Sequence, residues 1–293
     1  MNNKLLSLLR TLQTEEQRRF DDFLHSPYFN KRERSIQCWH YFWQFAPNYD
    51  DPKLNMDGLA SALFSRQKIG RQVLLDEISF LYRQLKAFCE AEALQQSPFL
   101  QRSLRLRQLN DRGLDRLYEI ERKAATKLLD EQAPDQEERY KFELEWATLD
   151  NEHFGRRQAR TLDDSLAHKL RAMEVYFLTL LLRESGEALN RQHILSVDYE
   201  LPLLSPLLSY LSEERQAYRE KPLIELYFLI CKSLQTEATD EDYQNLLLGL
   251  RRHRSQLSVA VARTMYKYAQ NFCIRQINRG QERYQQALFD LFQ

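Results

Sequence analysis

Carboxylate and imidazole side chains occur at helical spacing in the middle of this 293-residue sequence. Two Asp–His pairs and two nearby glutamates form the set: Asp150 with His153, Asp164 with His168, Glu145 and Glu152. Spacings of three and four residues place each pair on one face of a helix, as helical metal sites require. A carboxylate-bridged di-metal site needs two Glu-x-x-His pairs and two further glutamates. The set falls short of that pattern, so we predict no metal, cofactor or catalytic residue, and a helical metalloenzyme is kept as an alternative.

A second segment combines aromatic and basic residues. Residues 26–45, SPYFNKRERSIQCWHYFWQF, contain seven aromatic and four charged side chains. Unpaired bases could stack on the aromatics while Lys31, Arg32 and Arg34 neutralise phosphates. However, the basic residues come first, and the aromatics follow at the spacings of three and four that a buried helix face shows. We therefore predict that the aromatics form core packing.

Two further basic clusters keep a nucleic-acid-binding protein as the other alternative. The segment 251–254, Arg-Arg-His-Arg, closes a predicted helix, where the helix dipole already favours cations. The second cluster is sparser and is interleaved with acids: Arg102, Arg105, Arg107, Arg112 and Arg116. Lysine plus arginine and aspartate plus glutamate both total 42, so no net charge attracts nucleic acid over a long range. The glycine-rich phosphate motifs and the serine-nucleophile and zinc-protease motifs do not occur.

The composition predicts an all-α fold. The sequence has 50 leucines but only 5 valines and 9 isoleucines, and a sheet needs more β-branched residues. Seven glycines and eight prolines leave few tight turns. The four cysteines are widely spaced, which indicates free thiols in a reducing cytoplasm. The apolar runs are too short to span a bilayer, so we expect a cytoplasmic protein without a membrane partner.

About a dozen amphipathic helices with short connections follow one another along the chain. Ser97-Pro98 marks the best boundary, which predicts an N-terminal helical region over 1–97 and a helical-hairpin region over 98–293. Thr14 is a predicted helix cap, either Thr239 or Asp240 is predicted to cap a later helix, and Pro222 is a predicted first helical residue. Only residues 193–204 read as an extended stretch. This order is typical of stacked helical hairpins in a solenoid.

The last third of the sequence contains two similar units. Tyr227 and Tyr266 stand 39 residues apart, and Tyr243 and Tyr284 stand 41 apart. The second unit, with its early tyrosine, a small residue at Ala269, a turn glycine and Tyr-Gln-Gln-Ala-Leu at 284–288, resembles a degenerate tetratricopeptide repeat. It departs by two extra residues after the glycine and by lacking the closing proline. The resemblance covers about 70 residues and implies a superhelix of antiparallel hairpins.

In tetratricopeptide arrays the first helix of each unit lines a groove that holds extended peptides. The resemblance therefore implies that Lys267, Asn271 and Arg275 share a groove face, with Lys232 on the matching face one unit earlier. Lysine and arginine would pair a carboxylate and asparagine would bond peptide backbone. We predict a non-enzymatic scaffold or adaptor that binds a protein or peptide.

Overall fold

A computed structural model describes residues 3–64, 70–132, 136–157, 163–195 and 197–291. These residues form fourteen α-helices and no β-strand, and about 80% of the chain is helical, which confirms the predicted all-α class. The helices are α1 (Asn3–Leu9), α2 (Thr14–His25), α3 (Glu33–Trp43), α4 (Met56–Phe64), α5 (Arg71–Gln95), α6 (Pro98–Asp111), α7 (Asp115–Gln132), α8 (Gln136–Arg157), α9 (Ser165–Leu195), α10 (Leu204–Glu213), α11 (Pro222–Leu234), α12 (Asp240–His253), α13 (Val259–Asn278) and α14 (Tyr284–Asp290). None of the helices described combines the length and apolar character needed to cross a bilayer.

Local capping chemistry sets the helix starts. Pro222 opens α11 as predicted. Of the two predicted caps of α12, Thr239 and Asp240, Thr239 is the cap, and its hydroxyl accepts from the Asp242 backbone N–H at 3.3 Å. The Thr14 cap is wrong by one residue. Gln13 is the cap of α2, because the Glu16 carboxylate three residues on accepts its backbone N–H at 2.7 Å.

The predicted extended stretch over 193–204 is also wrong at both ends. Helix α9 continues through Leu195, and α10 already begins at Leu204. The residues described between these helices belong to no strand. The residues up to Leu195 form the last turns of α9. The non-helical part of the stretch is therefore only the short connection between α9 and α10.

The chain divides into two compact units, Met1–Gln101 and Arg102–Gln293. In the first unit α5 contacts α1, α2, α3 and α4, and α3 also packs against α2 and α4. Its core is rich in aromatic side chains. Phe20 and Trp39 are fully buried, and their rings meet edge to face with centroids 5.0 Å apart.

In the second unit α9 packs against α8 and α11, while α12 and α13 contact α11 and each other. Helix α14 packs on α13. Tyr243 stacks on Phe272 with ring centroids 4.9 Å apart, and Tyr284 meets the same ring at 5.6 Å. The two tyrosines that the sequence places at equivalent repeat positions therefore share one core partner on α13.

Candidate functional site

A cavity of about 450 Å³ lies between the last turns of α9, the end of α11 and the second half of α13. It is lined by Asn190, His193, Ile194, Leu234, Asn271, Ile274, Arg275, Asn278 and Arg279. Two of the four residues predicted to bind a partner, Asn271 and Arg275, are therefore brought together in it. Its remaining polar lining consists of amides, an imidazole and a second guanidinium, and no carboxylate of the described residues contributes to it.

Arg275 is fixed by the end of α11. Its guanidinium donates to the carbonyl oxygens of Ser233 at 2.9 Å, Leu234 at 3.0 Å and Gln235 at 3.3 Å. The last carbonyls of a helix have no partner within the helix and carry the negative end of its dipole. These bonds orient the guanidinium before any ligand arrives, and they are also a sufficient structural reason for an arginine at this position.

The charge of Arg275 is not neutralised by a carboxylate of the described chain. Burial, and secondarily the cation of Arg279, lower the pKa of Arg275 from 12.5 to about 10. Arg275 therefore stays charged at neutral pH beside a second guanidinium. Its Nε–H is buried and finds no acceptor among the residues described. A buried donor left without an acceptor costs about 1–3 kcal/mol.

Asn271 supplies amide chemistry next to this charge. Its Nδ2 donates to the Asn190 Oδ1 of α9 at 2.7 Å. An asparagine has two amide hydrogens and an oxygen with two lone pairs. One N–H is used in this bond, so the Asn271 side chain keeps a further donor and an acceptor. The C=O and N–H groups of a peptide backbone are the complementary acceptor and donor.

Lys232 and Lys267, the other two residues predicted to bind a partner, lie outside the cavity lining. Lys267 is exposed one turn before Asn271 on α13. Lys232 lies in the last turn of α11, where its ammonium is 5.4 Å from the centroid of the Phe228 ring. Of the four residues predicted to bind a partner, Asn271 and Arg275 therefore line the cavity, and Lys232 and Lys267 do not.

The Asp–His set of the second unit does not form a metal site within the described chain. Asp150 accepts hydrogen bonds from Tyr118 and Arg122, both at 2.8 Å. His153 stacks on Tyr118, with ring centroids 4.1 Å apart, and its Nε2 lies 3.1 Å from Asp115. Asp164 and His168 are exposed and join no cluster of three ligand atoms among the residues described.

The aromatic segment is largely interior, as predicted. Trp39 and Phe42 are fully buried in the core of the first unit. Arg32 and Arg34 cover the rings of Phe80 and Phe64, at 4.2 and 5.0 Å from the ring centroids. These arginines are therefore engaged with aromatic faces of α5 and α4. Of the seven aromatics in the segment, Tyr28 is the most exposed, at 86%.

The other basic clusters are partly neutralised. Arg252 donates to the buried Glu225 carboxylate at 2.8 Å, and His253 bonds its second oxygen at 2.8 Å. In the sparser cluster Arg102 and Arg105 both pair with Glu121. Each of these side chains has a carboxylate partner, in contrast to Arg275.

Sequence reasoning missed an exposed apolar row on α9. Leu166, Leu170, Met173 and Phe177 are each about half exposed. Their spacings of four, three and four place them along one helix face, a periodicity that the sequence does contain. Contiguous exposed apolar surface is found at protein–protein and membrane interaction sites and in ligand-binding grooves.

Comparisons with known proteins give no relative for this chain. No protein-family model matches the sequence, and searches of curated proteins and of solved structures find no match either.

Proposed function

We propose that this chain is a non-enzymatic, cytoplasmic helical scaffold that binds a peptide segment of another protein and seats one of its carboxylates beside Arg275 and Arg279. The observation that carries the proposal is the charge balance of the α9–α11–α13 cavity. Two guanidiniums contribute to its lining, and no acidic side chain of the described residues does. All four cysteines are free thiols, which supports the cytoplasmic location.

The proposal includes a tetratricopeptide-like arrangement for the last hairpins. Its support is the pattern of contacts, in which α11, α12 and α13 each touch the other two. In a stack of hairpins the first helix of a unit packs on its own second helix and on the first helix of the next unit. With α11 and α13 as successive first helices, the cavity lies on the side where α13 meets the end of α11.

In this arrangement each polar group has a distinct task. The guanidinium of Arg275, held by three carbonyl oxygens, presents a fixed charge, and Arg279 adds a second donor group to the same anion. Asn271 bonds the peptide backbone. Lys267 and Lys232 extend the positive charge beyond the lining, so an acidic segment is favoured over a neutral one.

The apolar row of α9 gives the scaffold a second contact surface. Leu166, Leu170, Met173 and Phe177 would take apolar side chains of the partner protein, while the cavity fixes its register through the carboxylate. This division matches the usual roles of apolar area and charge in recognition, because area supplies affinity and charge supplies specificity.

The experiment uses a random peptide library selected on the full chain, followed by synthesis of the selected peptide. Each Asp or Glu of that peptide is replaced by its amide, and its C-terminus is amidated in a separate version. We expect one of these changes to weaken binding roughly ten- to a hundred-fold, since a charge-assisted hydrogen bond contributes about 1.5–3 kcal/mol.

On the protein side, Arg279→Gln removes a lining cation without touching the bonds that Arg275 makes to α11. It is expected to weaken the same peptide about ten-fold or more, and Arg275→Lys should do likewise because it loses the planar fork. Arg263→Gln is the matched control, since it makes the same change on the same helix at an exposed position outside the cavity. Helicity by circular dichroism should be equal in all variants.

Two results contradict the proposal. The first is that the selected peptides bind the Arg279→Gln and Arg275→Lys variants as tightly as the parent chain, so that no selected peptide depends on these residues. The other is preferential binding of single-stranded oligonucleotides with a steep loss of affinity as salt rises, which is the behaviour of a phosphate-binding protein. The second result would favour the nucleic-acid alternative.

A further inference from the structure

In the first unit, polar side chains of α2 contact side chains of α3 at successive helical turns. Gln17 of α2 accepts from the indole N–H of Trp43 at 2.9 Å. One turn further along α2, Asp21 lies 2.8 Å from the Nε2 of His40. His25 follows one more turn along α2, with its ring centroid 6.0 Å from that of His40. Asp21, His25 and His40 thus bring one carboxylate and two imidazoles close together.

The ligand atoms of these three side chains lie within 4.8 Å of one another. Besides the 2.8 Å contact between Asp21 Oδ1 and His40 Nε2, Asp21 Oδ2 lies 3.5 Å from His25 Nδ1. Ligands that surround Zn²⁺ at about 2.0–2.2 Å are themselves roughly 3.3 Å apart. The observed separations bracket that value, so only small side-chain movements are required to admit an ion.

Both ring nitrogens that face Asp21 carry a proton before an ion binds. His25 Nδ1 lies 2.8 Å from the backbone carbonyl oxygen of Asp21, which can only accept, so Nδ1 is the protonated nitrogen of this ring. An ion bound at His25 Nδ1 would replace that proton. His40 donates its Nε2–H to the carboxylate, and an ion would take the place of that proton.

The Asp–His set of the second unit differs from this cluster because arginine side chains already pair with its carboxylates. There, Asp150 is paired with Arg122, and Asp115 with Arg156. Asp21 has only His25 and His40 as ion-pair partners among the residues described. Its charge is therefore not already balanced by an arginine or lysine that an incoming cation would have to displace.

We infer that Asp21, His25 and His40 form a binding site for a divalent transition-metal ion of the Zn²⁺ class, with three protein ligands and an open fourth position. Imidazole and carboxylate together select such ions over Ca²⁺ and Mg²⁺, which prefer oxygen ligands alone. The side chains of His25, His40 and Asp21 are 51%, 50% and 22% exposed, so an ion reaches them from solvent. The open position would carry water or a group from a partner.

The test is a Zn²⁺ titration by calorimetry of the full chain without an affinity tag, after treatment with a chelator. One ion should bind per chain. His40→Gln and Asp21→Asn should each weaken Zn²⁺ binding by about ten-fold or more, the least that loss of even an outer-sphere partner costs in zinc sites. His168→Gln is the matched control, because His168 is another exposed histidine on a helix, in the second unit, and Zn²⁺ affinity should be unchanged in it.

A second measurement does not depend on the folding of any variant. Diethylpyrocarbonate modifies exposed imidazoles, and mass spectrometry locates the modified residues. Zn²⁺ should slow the modification of His25 and His40 in the unaltered chain but leave the rate at His168 unchanged. The inference is overturned if the chain takes up no Zn²⁺, if both ligand variants bind Zn²⁺ like the parent, or if protection is equal at all three histidines.

Discussion

Replacing Gly249 by alanine tests how closely α11 and α12 approach each other. A Cβ atom at Gly249 would lie 2.7 Å from the Cδ1 atom of Leu229 and 3.3 Å from the Cδ2 atom of Leu226. Both leucines are almost completely buried in the core of the second unit. Their methyl groups cannot turn away into solvent, so the added methyl must push the two helices or their side chains apart.

The magnitude follows from two opposing contributions. Alanine is favoured over glycine within a helix by about 0.8–1.0 kcal/mol. Inserting a methyl group into a packed core typically costs about 1–3 kcal/mol. Gly155 of α8 lies in the same unit, and a Cβ atom added there would meet no described residue within 4 Å beyond its own helix backbone, so Gly155→Ala shows the helix preference alone. The difference between the two variants, about 1–3 kcal/mol, therefore isolates the overpacking.

Urea unfolding followed by circular dichroism measures both variants. Gly155→Ala is expected to raise the free energy of unfolding, and Gly249→Ala to lower it or leave it close to that of the parent chain. The slope with denaturant should not change, since the exposed surface is the same. Equal stabilisation by both substitutions would show that α11 and α12 do not pack as closely as the Gly249 contacts indicate.

Three further outcomes concern ionisable groups. Glu225→Ala should lower the free energy of unfolding by about 1–3 kcal/mol in urea titrations, because the buried imidazole bonded to Glu225 loses its acceptor. A disulfide reagent should modify the half-buried Cys89 before Cys38, whose pKa burial raises to about 12. Burial raises the pKa of Glu174, but hydrogen bonds led by that from Tyr218 outweigh it and leave the pKa below 4.5. Stability from this carboxylate is present above pH 4.5 and lost as the pH falls further, so Glu174→Gln should reduce acid sensitivity in thermal unfolding.

Local signals account for what the sequence predicted correctly. The leucine content and the scarcity of valine and isoleucine indicated helices, and these preferences act residue by residue. Pro222 and Thr239 marked helix starts because a cap involves residues only three positions apart. The error at Thr14 has the same local origin, since the Glu16 carboxylate bonds the backbone N–H of Gln13, one residue earlier.

The cavity beside Arg275 could be predicted only in part. Helical spacing placed Asn271 and Arg275 on one face, because that spacing belongs to a single helix. Their partners come from elsewhere in the chain: Asn190 is 81 residues from Asn271, and the carbonyl of Ser233 is 42 residues from Arg275. No periodicity links residues that far apart, so the sequence could not show that α9 and α11 enclose this face.

The two Asp–His clusters show why spacing alone selects metal sites poorly. Asp150 with His153 and Asp21 with His25 both have the three- or four-residue spacing that places a carboxylate and an imidazole together. What distinguishes them is the residue that a neighbouring helix brings. Helix α7 brings Arg122 to Asp150, whereas α3 brings His40 to Asp21. A cation neutralises the carboxylate, and a second imidazole adds a ligand, so the chemistry of each cluster is decided by tertiary packing.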